Sequence, residues 1–280
     1  MKENHNPNIN KKMKNQEAHH IPDTVRGSII NQLQKIKKKH HVQILYACES
    51  GSRAWGFPST DSDYDVRFIY MHPKDWYLSV DLERRRDVIE LPIKNELDIN
   101  GWDLRKALQL LQKSNPSLLE WLQSPIVYQL QEKATNRLKD LIPEYYSQQA
   151  CFYHYLNMAR GNFREYLKGE EVWLKKYFYV LRPILALQWI EKENEFAPMK
   201  FEKMVEQLIP GGELKQAIQK LLAAKRRGNE LQTGPRIDVI SRFIERELER
   251  LQQKKPVKEP KTDAEPINIA FRELLDYDQK

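Results

Sequence analysis

Residues 49–70, ESGSRAWGFPSTDSDYDVRFIY, decide the fold. They follow VQILYAC at residues 42–48, a short run rich in β-branched and aromatic side chains that predicts a buried strand. Gly51-Ser52 ends that run, a short helical segment follows, and YDVRFIY, continuing to Met71, predicts a second strand with Asp63 and Asp65 at its start. Side chains two apart on a strand share a face, so these carboxylates point to one spot, where their repulsion must be offset. A magnesium ion does this, because it takes carboxylate and phosphate oxygens together. Gly51 lets the backbone turn tightly and approach a ligand. The amides opening the following helix, with the Ser52 hydroxyl, then face anionic phosphate.

Two look-alikes fail on single residues. Gly51 and Gly56 have P-loop spacing, yet Phe57-Pro58 stands where that loop needs Lys followed by Ser or Thr. Asp61, Asp63 and Asp65 open like an EF-hand loop, yet Val66 replaces its Gly and His72 its Glu. An isolated Asp-rich run reads as a solvated turn. Here a strand and Gly-Ser precede it and an apolar strand follows directly.

Outward from this stretch the chain divides into four. Residues 1–22 read as a disordered tail rich in Asn, Lys, Gln and His. Residues 23–128 form the first domain: a helix over 24–39, the two strands, and a third strand or a hairpin broken near Pro92 within 86–99. An amphipathic helix then runs from Leu104 to Leu111 and ends at Asn115-Pro116, before SLLEWLQS (helix) and PIVY (extended). Residues 129–253 read as all-helical, with long helices over 149–168, 171–194, 213–227 and 237–253. Residues 254–280 are a charged linker and a tail whose apolar run, INIAFRELL, is suited to dock back on the body. The fold class is α+β.

The formal charge of +7 and pI near 9.1 favour polyanionic partners. Cys48 and Cys151, the two cysteines, are too few for a disulfide scaffold and lack zinc spacing. The first twenty residues hold no apolar core of a signal peptide, and no run reaches the ~18 apolar residues of a membrane span. A cytoplasmic protein with no membrane partner is the expectation.

Gly-Ser, ten intervening residues and Asp-Tyr-Asp-Val resemble the signature of the polymerase-beta nucleotidyltransferase superfamily. GSRAWGF, DSDYDVRFIY, ELDINGWDLRKALQLL and NPSLLEWLQSPIVY are similar to a bacterial group of predicted RNA-repair-pathway nucleotidyltransferases, over about residues 42–251. The resemblance implies a polymerase-beta-type nucleotidyltransferase domain, a mixed sheet with flanking helices, followed by an all-helical domain, with the active site in the cleft between them. It also implies a third carboxylate on a neighbouring strand. Asp98 fits that slot, Glu96 is the reserve by parity, and Asp103 reads as the cap of the following helix. Two magnesium ions on Asp63, Asp65 and Asp98 would serve the transfer of a nucleoside monophosphate from a triphosphate such as ATP to a hydroxyl acceptor, such as an RNA end. Protein nucleotidylation of a partner is the alternative, and a non-catalytic nucleotide- or RNA-binding module a third reading. The nucleotide-binding set is Gly51, Ser52, Arg53, Lys175, Tyr179 and Arg182. The last three fall at i, i+4 and i+7 on one helical face, where Pro183 predicts a kink. Lys176-Tyr177 is the substitute pair. His154 reads as a packing residue, and Lys225-Arg226-Arg227 as a solvated helix end, with contact to nucleic acid as the alternative.

Overall fold

The computed structural model describes residues 21–228, 232–257, 259 and 263–277. The expected disordered tail therefore lies outside the described residues, except for Ile21, which is buried, and Pro22, which precedes the first helix.

Helix α1 (Asp23–His40) buries Ile29, Leu33 and Ile36, one stripe at helical spacing. It covers one face of a five-stranded mixed sheet of order β3-β4-β2-β1-β5. The strands are β1 (Gln43–Glu49), β2 (Tyr64–Met71), β3 (Val88–Glu90), β4 (Leu97–Asp103) and β5 (Val127–Leu130). Of the two readings for residues 86–99, the hairpin holds: β3 pairs antiparallel with β4, and Pro92 lies in the connection. β2 and β4 run parallel, β1 antiparallel to β2 and β5. Alternation on β2 sends Val66, Phe68 and Tyr70 under α1, leaving Asp65, Arg67 and Ile69 on the opposite face. An irregularity in β1 between Ile44 and Tyr46 puts both Leu45 and Tyr46 on that opposite face.

Between β1 and β2 stands the one-turn helix α2 (Gly51–Trp55), and after β2 come α3 (Lys74–Tyr77) and a 3-10 turn (Leu82–Arg84). Helix α4 (Leu104–Gln112) begins at Asp103, whose carboxylate accepts the Arg105 N–H at 2.8 Å, the cap its position before an amphipathic run implied. Asn115 caps α5 (Pro116–Leu122) in the same way.

The rest is helical: α6 (Glu132–Asp140), α7 (Ile142–Tyr145), α8 (Gln148–Tyr166), α9 (Lys176–Glu193), α10 (Phe201–Leu208), α11 (Glu213–Arg226), α12 (Asp238–Gln253) and α13 (Glu265–Tyr277). The expected helix over 171–194 starts late. Residues Glu171–Trp173 form β6, which pairs antiparallel with β7 (Thr233–Pro235), so the helix opens at Lys176. Pro183 lies inside that continuous helix. The tail docks as expected: α13 buries Ile267, Ala270, Leu274 and Leu275. One apolar core joins the sheet face carrying Tyr46 and Ile69 to α9 and α13, so sheet and helices hold each other. No helix among the described residues is long and apolar enough to cross a membrane.

Candidate active site

The parallel register of β2 and β4 sets Asp65 directly beside Asp98. Both leave the sheet on the face away from α1, and the Arg67 Nη2 bridges them, 3.0 Å from Asp65 Oδ1 and 2.7 Å from Asp98 Oδ2. The same guanidinium donates from Nη1 to the carbonyls of Asp98 and Val66. Burial raises the Asp65 pKa; Arg67 opposes the rise, and the charges of Asp98 and Asp63 add to it. Asp65 thus feels both other expected carboxylates, with Asp98 beside it in the register and Asp63 exposed in the loop before β2. Glu96 is not part of it: its backbone has a positive φ of 62°, before β4 begins, and its side chain is exposed.

Gly51 lies beneath Asp65. Its φ is +57°, and a Cβ there would stand 2.0 Å from Asp65 Oδ2. Only glycine meets both conditions. The Ser50 N–H donates to the Asp65 carbonyl at 2.8 Å, tying α2 to β2.

Glu49, at the end of β1, is fully buried. It accepts the Asp65 N–H at 2.9 Å and the Tyr128 hydroxyl, and burial pushes its pKa up to about 7. It acts from below the sheet, holding the backbone that carries Asp65. A carboxylate ending an apolar strand was its only signal in the sequence.

The loop between α2 and β2 is held by side chains from α2 and from the distant end of α11. Arg53 was expected at a phosphate. Instead it is buried, donating to the Ser62 carbonyl at 2.7 Å and the Asp63 carbonyl at 3.4 Å, with its guanidinium 3.9 Å from the Tyr64 ring centre. Ser52 reaches the Ser62 hydroxyl, which also meets Ser59. The Lys225 Nζ donates to Ser59 at 2.6 Å, and Arg226 to the Gly56 carbonyl at 2.8 Å and to Glu202. The expected solvated helix end thus clasps the acidic loop, and Lys225 joins the site.

Two cavities flank this cluster, and the Trp55 indole lines both. The first, about 290 Å³, brings together Ser52, Asp63, Asp65, Lys175, Tyr179 and Lys225. Tyr179 is 41% exposed overall, yet desolvation within the cavity raises its pKa and the charges of Asp65 and Asp63 add to the rise. Arg182 is not in this cavity. It lies 3% exposed on the far side of Trp55, its Nη1 2.6 Å from Glu120 Oε1 and its guanidinium 4.6 Å from the Trp55 ring centre. Glu120 also accepts the Tyr155 hydroxyl at 2.9 Å. The second cavity, about 430 Å³, is lined by Arg67, Asp98, Glu120 and Arg182 with Trp102 and Trp121. His154 is half-buried against Tyr155, which lowers its pKa, as expected of a packing residue. Lys176 leans on Tyr166 and Tyr179, and Tyr177 is buried with its hydroxyl on Ser241.

Among the described residues no three His, Cys, Asp or Glu side chains are grouped so that they could together hold a metal ion. Asp65 and Asp98 meet across one cationic nitrogen, with Asp63 close enough to perturb Asp65. Carboxylate oxygens converging on a single cation are the donors a magnesium-type ion takes, with its remaining positions left to water and phosphate.

The chain matches the model of the RNA repair pathway DNA polymerase beta family over residues 25–273. It is 54% identical over 251 residues to the uncharacterized protein YcgL of Bacillus subtilis (strain 168), covering 90% of this chain and 95% of that one. A nucleotidyltransferase-like protein from Exiguobacterium sibiricum 255-15, known by crystal structure, is 12% identical over 87% of this chain and 88% of that one. Its TM-score of 0.29 is too low to carry weight for the fold. The chain belongs to the RNA repair pathway DNA polymerase beta family and is a nucleotidyltransferase.

Proposed function

We propose that this nucleotidyltransferase moves a nucleoside monophosphate from a triphosphate, ATP among them, to a hydroxyl of an RNA end. The observation that carries this reading is the β2–β4 register, which stands Asp65 against Asp98, with Gly51 leaving room for the Asp65 carboxylate. The acceptor oxygen bonds to the α-phosphorus as the bridging bond to the β-phosphate breaks. Pyrophosphate leaves with the electron pair and the hydroxyl proton goes to solvent. Asp63, Asp65 and Asp98 would hold the divalent cations, two magnesium ions by the family resemblance. A metal held there would supply positive charge against the phosphates and would lower the pKa of the acceptor hydroxyl. Lys175 and Lys225 supply positive charge in the cavity that holds Asp63, where the triphosphate fits, and Tyr179 offers its ring to base or sugar. Gly51 and Ser52 bring backbone and hydroxyl close to it. Arg53 and Arg182 keep the loop and Glu120 in place. The proposed substrates, nucleoside triphosphates and RNA ends, are consistent with a reaction in the cytoplasm.

The test is incubation of the protein with each α-labelled nucleoside triphosphate, magnesium, and either total RNA or total protein. Label on RNA that disappears with Asp65→Asn, at unchanged circular dichroism, supports the reading. Label on protein replaces RNA by a protein acceptor, and no transfer to either leaves a binding module.

A further inference from the structure

The second cavity is an unusual neighbour for a triphosphate site. Its wall is a stacked indole pair, Trp102 on Trp121, with ring centres 3.7 Å apart and planes 25° off parallel. Its two guanidiniums are already committed, Arg67 to Asp65 and Asp98, Arg182 to Glu120. No lysine lines it. Among the described residues, the lysines that line a cavity beside the carboxylates without an ion pair are across Trp55, Lys175 and Lys225, so a polyphosphate fits there. An aromatic wall beside neutralised charges suits a flat, uncharged ring. The wall is also not wholly apolar. Glu120 uses Oε1 for both Arg182 and Tyr155, and among the described residues no donor reaches its Oε2. Glu120 lines the cavity and is nine-tenths buried, so that oxygen is an acceptor placed where a donor edge can enter. Asp98 opens onto this cavity and Asp65 onto the other, so the carboxylate pair stands between them. In-line displacement needs that arrangement, with the attacking and leaving oxygens on opposite sides of the phosphorus.

We propose that this cavity is the acceptor subsite, which seats the terminal nucleoside of an RNA end with its base against Trp102–Trp121 and a donor of that nucleoside on Glu120. The terminal hydroxyl then faces Asp98, across the carboxylate pair from the triphosphate. The inference rests on the transfer to RNA proposed above and adds to it the place and the chemistry by which the acceptor is held. Stacking dominates the recognition, so the subsite tolerates more than one base, and Glu120 favours bases with an exocyclic amino group.

Short RNA carrying 2-aminopurine at either end or in the middle reports the stacking by fluorescence, without triphosphate present. With the wild-type protein one terminal label should be quenched and the internal label should not. Met158 lines the same cavity and is 38% exposed, so Met158→Trp narrows the opening without touching the core. Both Met158→Trp and Trp102→Leu should abolish the quench and weaken RNA binding about tenfold, the size of one lost base stack. Both should leave the affinity for a non-hydrolysable triphosphate unchanged. Trp102→Leu touches core residues; Met158→Trp keeps the test valid if that variant misfolds. Wild-type protein that binds and extends RNA while both variants keep the quench overturns the subsite alone. Triphosphate affinity that falls in Met158→Trp while RNA affinity holds also overturns it, because the cavity then houses the donor. Wild-type protein that binds no RNA overturns the transfer reading and the subsite together.

Discussion

Arg67 occupies the position of a cation, and replacing it tests whether that is its role. Its Nη2 is the shared partner of Asp65 and Asp98, and the three side chains are 18%, 27% and 28% exposed, shielded enough for their charges to matter. In Arg67→Met the two hydrogen bonds to carboxylates vanish, each worth ~1.5–3 kcal/mol, along with the two to the Asp98 and Val66 carbonyls. The two carboxylates are left facing each other in register. Allowing for partial exposure, we expect a loss of about 3 kcal/mol in the presence of a chelator. In a chain of this size that lowers the melting temperature by roughly 6–12 °C. Magnesium should then restore more in the variant than in the wild type, since in the wild type the ion must first displace the guanidinium. A tenfold gain in magnesium affinity adds ~1.4 kcal/mol, a further 3–5 °C or so. Thermal melts of both proteins across a magnesium titration decide the matter. If the variant melts with the wild type in chelator, the bridge contributes nothing. If magnesium lifts both equally, Arg67 does not stand in the cation's place.

Gly51→Ala should lose transfer and at least ~1–2 kcal/mol of stability, because alanine is strained at a φ of +57° and its methyl displaces the Asp65 carboxylate; wild-type turnover in this variant would refute the close approach. Arg182→Ala should destabilise by about 3–5 kcal/mol by leaving Glu120 buried without its partner, while triphosphate affinity per folded molecule stays the same, as melts and calorimetric titration will show. Burial pushes the Asp103 pKa up to about 6, so its protonated form favours folding and that stability is lost as pH rises from about 4 through 6. Asparagine keeps the cap without titrating, so Asp103→Asn should gain on the wild type by up to ~3 kcal/mol between pH 4 and 7 and retain transfer; a pH-independent difference would refute the shift.

What the sequence made legible was whatever short-range spacing determines. Tyr64–Met71 was read to the residue, because a run of alternating apolar and polar side chains bounded by turn residues leaves few other registers. Asp103 was read as a cap because a cap is defined by the residues just after it. Parity alone left Glu96 beside Asp98 as a candidate ligand. What removes it is the start of β4 at Leu97, paired with Tyr64, which leaves Glu96 before the strand at a positive φ and exposed. Residues 171–175 looked helical because three residues of strand are too short for a period to show, and β6 exists only through its partner, some sixty residues later.

The site divides along the same line. Gly51, Ser52, Asp63 and Asp65 come from one local stretch, and their gathering needed nothing distant. Lys225 reaches them across more than 160 residues of chain, so a basic helix end gave no sign of where it would rest. Arg182 shows where helical spacing misleads. It falls within a turn of Tyr179, but Trp55 inserts there, with Tyr179 edge-on at 5.8 Å on one side and Arg182 on the other. Its partner had a physical signal that spacing alone does not use. Pro116–Leu122 is apolar but for Ser117 and Glu120, and most of α9 around Arg182 is apolar too. A charge inside an apolar helix is costly unless paired, so a lone Glu in one such helix and a lone Arg in another call for each other before any coordinates are known.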